Sequence, residues 1–260
     1  MNFANGDRLS LIQRITGKID AFGFESTRPV VQKSIEKPKP IHKPLDLSHL
    51  IEHTLLKPEA TSKDILRLCD EARQFHFRGV CVNPVFVKEV QKQLTGTDCS
   101  VITVVGFPLG ANITATKVEE MKHVIELGAN EVDMVIPIGA LKDGDYRAVY
   151  QDIRAVVKSA GQIPVKVIIE TGLLEETEKI AACLLAERAG AAFVKTSTGF
   201  SVRGATVEDV KLMRTVVGNK ICIKAAGGIR DFQTARALVE AGSTRLGCSA
   251  SVAIVTESLQ

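Results

Sequence analysis

From about Leu45 onward the chain repeats one unit: a helical pattern closes near a glycine and an apolar strand follows. Gly79 precedes Val80-Cys81-Val82, Gly128 precedes Val132-Asp133-Met134-Val135, Gly190 precedes Ala192-Phe193-Val194, and Gly242 precedes Thr244-Arg245-Leu246. Glycine suits the left-handed position that ends a helix, so each is read as a helix stop. Further apolar runs at 101–105, 165–169, 221–223 and 50–56 bring the strands to eight. Helix starts fit between them, at Asn83-Pro84, at Thr206 with Asp209 three residues on, and at Asp231. Strands alternating with helices imply parallel βαβ units. The fold class expected is α/β, a (β/α)8 TIM barrel over 45–260 with an N-terminal extension over 1–44. A doubly wound open sheet is the rival. No G-x-G-x-x-G follows an early strand, which weakens its dinucleotide-binding form.

The net charge is +3 and the basic residues are scattered, so no nucleic-acid partner is expected. No apolar run approaches the roughly 18 residues of a membrane span, so no membrane partner is expected either. The six cysteines lack C-x-x-C spacing and read as free thiols in a reducing compartment. With no basic-then-apolar leader after Met1, the cytoplasm is the expected location.

Within the extension, residues 7–22 read as an amphipathic helix, with Leu11, Ile12, Ile15, Ile19 and Phe22 on one face. The Pro/Lys-rich stretch Lys37-Pro38-Lys39-Pro40-Ile41-His42-Lys43-Pro44 reads as an extended linker. The apolar stripe needs a partner: its own barrel, a sister subunit, or another protein. A short amphipathic helix on such a linker resembles the encapsulation peptides of bacterial microcompartments. That resemblance implies recruitment to a shell protein through residues 1–25, which are then dispensable for catalysis.

In a barrel of this kind the site lies at the C-terminal strand ends. Charged residues stand there inside apolar strands: Asp133 in the fourth, Lys166 and Glu170 in the fifth, Lys195 in the sixth, Lys224 in the seventh. Unpaired buried charge costs several kcal/mol, so such groups are paired or functional. Two adjacent lysines, if both point inward, disfavour each other's protonation, and burial adds to this. A neutral lysine can attack a carbonyl to form a Schiff base. The alternative is that each simply pairs with a carboxylate. The glycine-bearing loops Gly227-Gly228-Ile229-Arg230 and Gly247-Cys248-Ser249 follow the seventh and eighth strands, where barrels bind phosphate. The five histidines have no metal-ligand spacing, so no metal is expected, and His53 reads as structural.

Several segments together resemble the deoxyribose-phosphate aldolase family. They are Ile51-Glu52-His53-Thr54-Leu55-Leu56-Lys57-Pro58, Val80-Cys81-Val82-Asn83-Pro84, Gly106-Phe107-Pro108-Leu109-Gly110, Glu131-Val132-Asp133, Lys166-Val167-Ile168-Ile169-Glu170-Thr171, Val194-Lys195-Thr196-Ser197-Thr198-Gly199 and Lys224-Ala225-Ala226-Gly227-Gly228-Ile229-Arg230. The resemblance implies a metal-independent class I aldolase that cleaves 2-deoxy-D-ribose 5-phosphate to glyceraldehyde 3-phosphate and acetaldehyde. It implies an imine on Lys195, a pKa-lowering Lys224 and a proton-relaying Asp133. Thr198, Gly199, Gly227, Gly228, Arg230, Gly247 and Ser249 fall where the family holds substrate and phosphate, with Glu52 and Cys81 as further candidates. A homo-oligomer, taken as a dimer, is expected. Three departures stand out: Glu52 in place of aspartate, Phe200 after Gly199 in place of lysine, and no tyrosine near Gln260. The last two imply weaker selection for phosphorylated substrate. A non-catalytic sugar-phosphate-binding barrel and a class I aldolase for another aldehyde are the alternatives.

Overall fold

The computed structural model describes residues 5–25 and 40–257. Eight parallel strands close into a barrel in chain order, with β1 hydrogen-bonded to both β2 and β8. The strands are β1 (Ile51–Leu55), β2 (Gly79–Val82), β3 (Ser100–Val105), β4 (Glu131–Val135), β5 (Val165–Ile168), β6 (Phe193–Lys195), β7 (Cys222–Ala226) and β8 (Arg245–Cys248). Around them run α2 (Ser62–Gln74), α3 (Val87–Leu94), α4 (Thr114–Glu126), α5 (Ile138–Lys142), α6 (Tyr146–Ser159), α7 (Glu176–Arg188), α8 (Val207–Val217), α9 (Phe232–Glu240) and α10 (Ser251–Thr256), preceded by α1 (Asn5–Asp20). All eight expected strands are present, and the open-sheet rival is excluded by closure.

The helix stops divide. Gly128, Gly190 and Gly242 have φ of +105°, +89° and +118°, as expected of residues that end a helix. Gly79 does not; it opens β2, and a Cβ there would come within 2.6 Å of Ile102 Cδ1. After α2 the left-handed position belongs to His76, at φ +52°. Thr206 and Asp231 cap α8 and α9, accepting from Asp209 N at 3.1 Å and Thr234 N at 2.7 Å. The return half of the expected box at Thr206 is missing, because the Asp209 carboxylate is engaged by Lys179 and Arg203 instead. Asn83 caps nothing; its side-chain amide donates to Leu56 O at 3.1 Å, tying the end of β2 to the end of β1.

The N-terminal helix is docked on its own barrel. α1 lies along α7, with Ile15 and Ile19 buried and Leu11 and Ile12 packed against the core. Arg8 pairs with Glu176 at 2.7 Å and Asp20 with Arg188 at 2.6 Å. Phe22, on the same stripe, stays partly exposed, while Phe24 stacks on Tyr150 of α6 with centroids 4.2 Å apart. Of the expected linker, residues 37–39 lie outside the described residues. Its later part is docked rather than free: Ile41 is buried, Lys43 keeps extended backbone, and Pro44 begins a 3-10 helix, Pro44–Leu50, that packs against α9 and α10. No helix among the described residues is long and apolar enough to cross a membrane.

Candidate active site

The pleat alternates side chains between barrel interior and helix layer. Register sets Asp133 beside Lys166, Lys195 beside Lys224, and Glu52 beside Gly247. The charged residues of β1, β4, β5, β6, β7 and β8 therefore meet on the barrel axis, and Glu52, Asp133, Lys166 and Lys224 are wholly buried. Asp133 is the hub. Its Oδ2 accepts from Lys195 Nζ at 2.7 Å and Lys224 Nζ at 2.6 Å, and its Oδ1 accepts from Lys166 Nζ at 3.0 Å. Lys224 also bonds Glu52, and Lys166 reaches Glu131 at 2.8 Å and Glu52 at 3.5 Å. Arg245 adds longer pairs to Glu52 at 3.7 Å and Glu131 at 3.9 Å.

This arrangement distinguishes the three lysines. Burial disfavours the charged form of each. For Lys166 and Lys224 that penalty is outweighed by Asp133 together with Glu131 or Glu52, and both are held above the ordinary lysine range. Lys195 shares only Asp133 and faces the Lys224 ammonium, so burial and that neighbour move its pKa down. Asp133, despite burial, is held well below the carboxylate range by Lys166, Lys195 and Lys224. With Lys195 neutral, the carboxylates of Asp133, Glu52 and Glu131 are matched one for one by Lys166, Lys224 and Arg245. The outcome is an amine whose protonation is disfavoured, beside a lysine held as an ammonium and an ionised carboxylate. Such a trio can form an imine and move protons around it.

Cys81 is buried in the wall with Leu56, Ile102 and Val104, and burial pushes its thiol up to about 11. It stands as an inert apolar neighbour of the lysines. All six cysteines are free thiols. His53 is buried, with Nε2 2.7 Å from Glu71 and Nδ1 2.9 Å from Ser251 Oγ, which is the structural role expected of it.

The glycine loops split in purpose. Gly199, Gly227 and Gly228 have φ of +86°, +87° and +77°, so their backbones need glycine. A Cβ on Gly228 would meet nothing within 4 Å, and one on Gly199 only Gly227 Cα at 3.9 Å, which leaves open space over both loops. Arg230 is exposed beside them. Gly247 serves another purpose. It lies in β8, where a Cβ would come within 3.0 Å of Lys224 Cε, so its bareness admits the lysine stem. Ser249 is exposed and lines a cleft of about 490 Å³ with His53, Lys57, Arg67 and Glu71. Thr198 turns its hydroxyl onto Glu170, so that proton is already committed.

Sequence reasoning missed Glu131 and Arg245 as members of the charged cluster and left the partners of Lys166 open. The available signal was the period-2 pattern, which puts Glu131 on the face of Asp133 and Arg245 on that of Gly247. Among the described residues no group of three or more His, Cys, Asp or Glu is placed to share a metal ion.

Comparison with known proteins agrees with this geometry. The sequence pattern of the DeoC/LacD family aldolases matches residues 42–251. A deoxyribose-phosphate aldolase of Geobacillus sp. (strain WCH70) is 57% identical over 211 residues, 81% of this chain and 95% of that protein. One of Clostridium tetani is 54% identical over 215 residues, 82% of this chain and all of that protein. Among solved structures, a Coccidioides immitis chain assigned to deoxyribose-phosphate aldolase superposes with TM-score 0.83 at 37% identity, covering 98% of both chains. The Aeropyrum pernix deoxyribose phosphate aldolase, described as a tetramer, gives 0.78 at 31% identity, covering 88% of this chain and 97% of that one. The chain belongs to the DeoC/LacD aldolase family.

Proposed function

We propose that this protein cleaves 2-deoxy-D-ribose 5-phosphate reversibly to D-glyceraldehyde 3-phosphate and acetaldehyde through an imine on Lys195. One observation carries the assignment of the nucleophile: of three lysines around Asp133, Lys195 alone has no second carboxylate partner among the described residues. Its free amine adds to the C1 aldehyde of the open-chain sugar, and loss of water gives the protonated imine. Asp133, ionised at 2.7 Å from Lys195 Nζ, takes the C3 hydroxyl proton. The C2–C3 bond then breaks, its electron pair flows into the iminium to form an enamine, and glyceraldehyde 3-phosphate leaves. Reprotonation at the enamine carbon, with Lys224 and Asp133 passing the proton, and hydrolysis release acetaldehyde and the amine.

The backbone N–H groups of Gly199, Gly227 and Gly228, with Arg230, are the phosphate-binding set. No metal is required, since the carboxylates a cation needs already hold ammonium groups. A second reading keeps the imine and changes the aldehyde. Phe200, half-exposed next to Gly199, packs edge-on against Phe107 with centroids 5.4 Å apart, which puts an apolar rim where an uncharged acceptor would sit.

We infer further that the chain works as a homo-oligomer in the cytoplasm, with residues 45–260 as the catalytic unit; light scattering tests the assembly. Recruitment of residues 1–25 by a microcompartment shell requires α1 to leave α7, because the stripe a shell would bind already covers the barrel. A fluorescent protein fused to residues 1–44 tests it; a diffuse signal beside assembled shells rejects recruitment.

Borohydride reduction in the presence of substrate, followed by peptide mapping, tests the imine. The expected adduct is on Lys195, and an adduct on Lys166 or Lys224 overturns the mechanism. A coupled assay of glyceraldehyde 3-phosphate release, run on several aldehydes, separates the two readings; substrate binding without any release would mean a sensor.

A further inference from the structure

We propose that Glu170 is a positioning residue that builds the anion cradle by holding the Thr198–Gly199 turn. The inference rests on the phosphate reading above and names the side chain on which that site depends.

Three observations carry it. Glu170 is buried, at 2% exposure, at the C-terminal end of β5, one strand from Lys195. Its backbone is left-handed, φ +56° and ψ +62°, a region that costs a non-glycine residue free energy and is kept where the surroundings enforce it. Its Oε2 accepts from the Thr198 backbone N–H at 3.2 Å and from the Thr198 hydroxyl. The twist at Glu170 thus turns its carboxylate under the loop that follows β6.

That loop is tied at both ends. At its far end Ala205 N donates to Ala226 O and Gly227 O, both at 3.1 Å, and a Cβ on Gly204 would come within 2.0 Å of Gly227 O. Arg203 adds bonds to Asp209 and to Thr171 O at 3.1 Å. At the near end, Thr198 is held by Glu170. Its hydroxyl donates to Glu170 and accepts from Phe200 N at 3.1 Å, so Glu170 also sets the start of the Gly199 turn. Between the two ties stand Gly199 and Phe200. Loss of the near tie frees this turn, and an anion must then order it on binding, which weakens affinity.

The carboxylate also brings negative charge close to an anion site. A carbonyl oxygen at the same place would keep both hydrogen bonds without that charge. Glu170→Gln and Glu170→Ala therefore have opposite expectations, which a role in barrel stability alone does not produce.

The test compares kcat/KM for 2-deoxyribose 5-phosphate with that for 2-deoxyribose. Glu170→Ala is expected to lower this ratio at least about tenfold, chiefly through KM for the phosphorylated sugar. Glu170→Gln is expected to keep the ratio within about threefold of the parent or raise it. Thr198→Val, which removes the hydroxyl, serves if Glu170→Ala does not fold, and is expected to lower the ratio too. Equal losses on both sugars, or an unchanged ratio in Glu170→Ala and Thr198→Val, overturn the proposal. A parent enzyme with no preference for the phosphorylated sugar sinks the cradle reading and this inference with it. A parent preference that both variants retain sinks this inference alone.

Discussion

At the scale of single residues, the proposed reactivity of Lys195 depends on what its neighbours lack as much as on what they carry. Lys224 is held above the ordinary lysine range by Asp133 and Glu52, and its ammonium repels a proton from Lys195. Lys224→Leu removes that repulsion and leaves two carboxylates facing fewer cations. The pKa of Lys195 then rises, and each unit of rise costs about tenfold in free amine at neutral pH. We expect the alkaline-going limb of the kcat/KM profile to move to higher pH in this variant, with activity at pH 7 down at least about a hundredfold and partly regained near pH 9. A profile that keeps its shape would show that Lys224 acts otherwise. Lys195, Lys224 and Asp133 were legible because charge inside an apolar strand is costly, and strand register then brought all three together. The links from Lys166 to Glu131 and Glu52 were not legible. The first runs diagonally between the neighbouring strands β4 and β5 and the second crosses the barrel to β1, and the local pattern gives the face of a residue but not the partner it meets there.

At the scale of elements, α7 explains the extension. Ile180, Ala181, Ala182, Cys183, Leu184, Leu185 and Ala186 are consecutive and all buried, so α7 has no solvent face through its middle. An apolar-all-round helix has to be covered on both sides. The barrel covers one side and α1 covers the other. The run from 180 to 186 was therefore a signal, in the sequence itself, that something outside the barrel packs on it. The amphipathic stripe of α1 was legible, but its partner was not, because two separate surfaces have to be matched to see it. The strand count and order were legible for the opposite reason: βαβ units are local and their handedness is fixed. Removal of residues 1–25 takes away Ile15 and Ile19 and uncovers the outer face of α7, a loss of roughly 2–4 kcal/mol after the helix's own ordering cost. The truncated protein is expected to melt about 5–10 °C lower while keeping its kcat at 25 °C. An unchanged melting temperature would mean that α1 is not part of the stable fold.

At the scale of the whole molecule, the barrel axis is a ladder of alternating charge. Arg78 and Arg245 approach Glu131, and Lys166 links Glu131 to Asp133 and Glu52. Lys224 and Lys195 then close the ladder near the C-terminal end. Balance holds only while the carboxylates are ionised. Burial raises the pKa of Glu131, but Lys166 and Arg245 outweigh it and bring the group down to about 2. A carboxylate depressed in the folded state stabilises the fold above its unfolded pKa, ordinarily about 4.3, and that contribution is lost as pH falls towards its folded value. Asp133 acts in the same direction, from an ordinary value of about 3.9. Stability is therefore expected to fall steeply between about pH 4.5 and pH 2, as the unfolded chain takes up protons that Glu131 and Asp133 resist in the folded core. Glu131→Gln removes one such titration but leaves Lys166 short of a partner, so its cost of about 3–5 kcal/mol appears at pH 7 and shrinks on acidification. Urea unfolding of the parent and this variant at pH 7, 4 and 3 measures both slopes. Two curves that stay parallel down to pH 3 would show that Glu131 is not a counter-charge of the ladder.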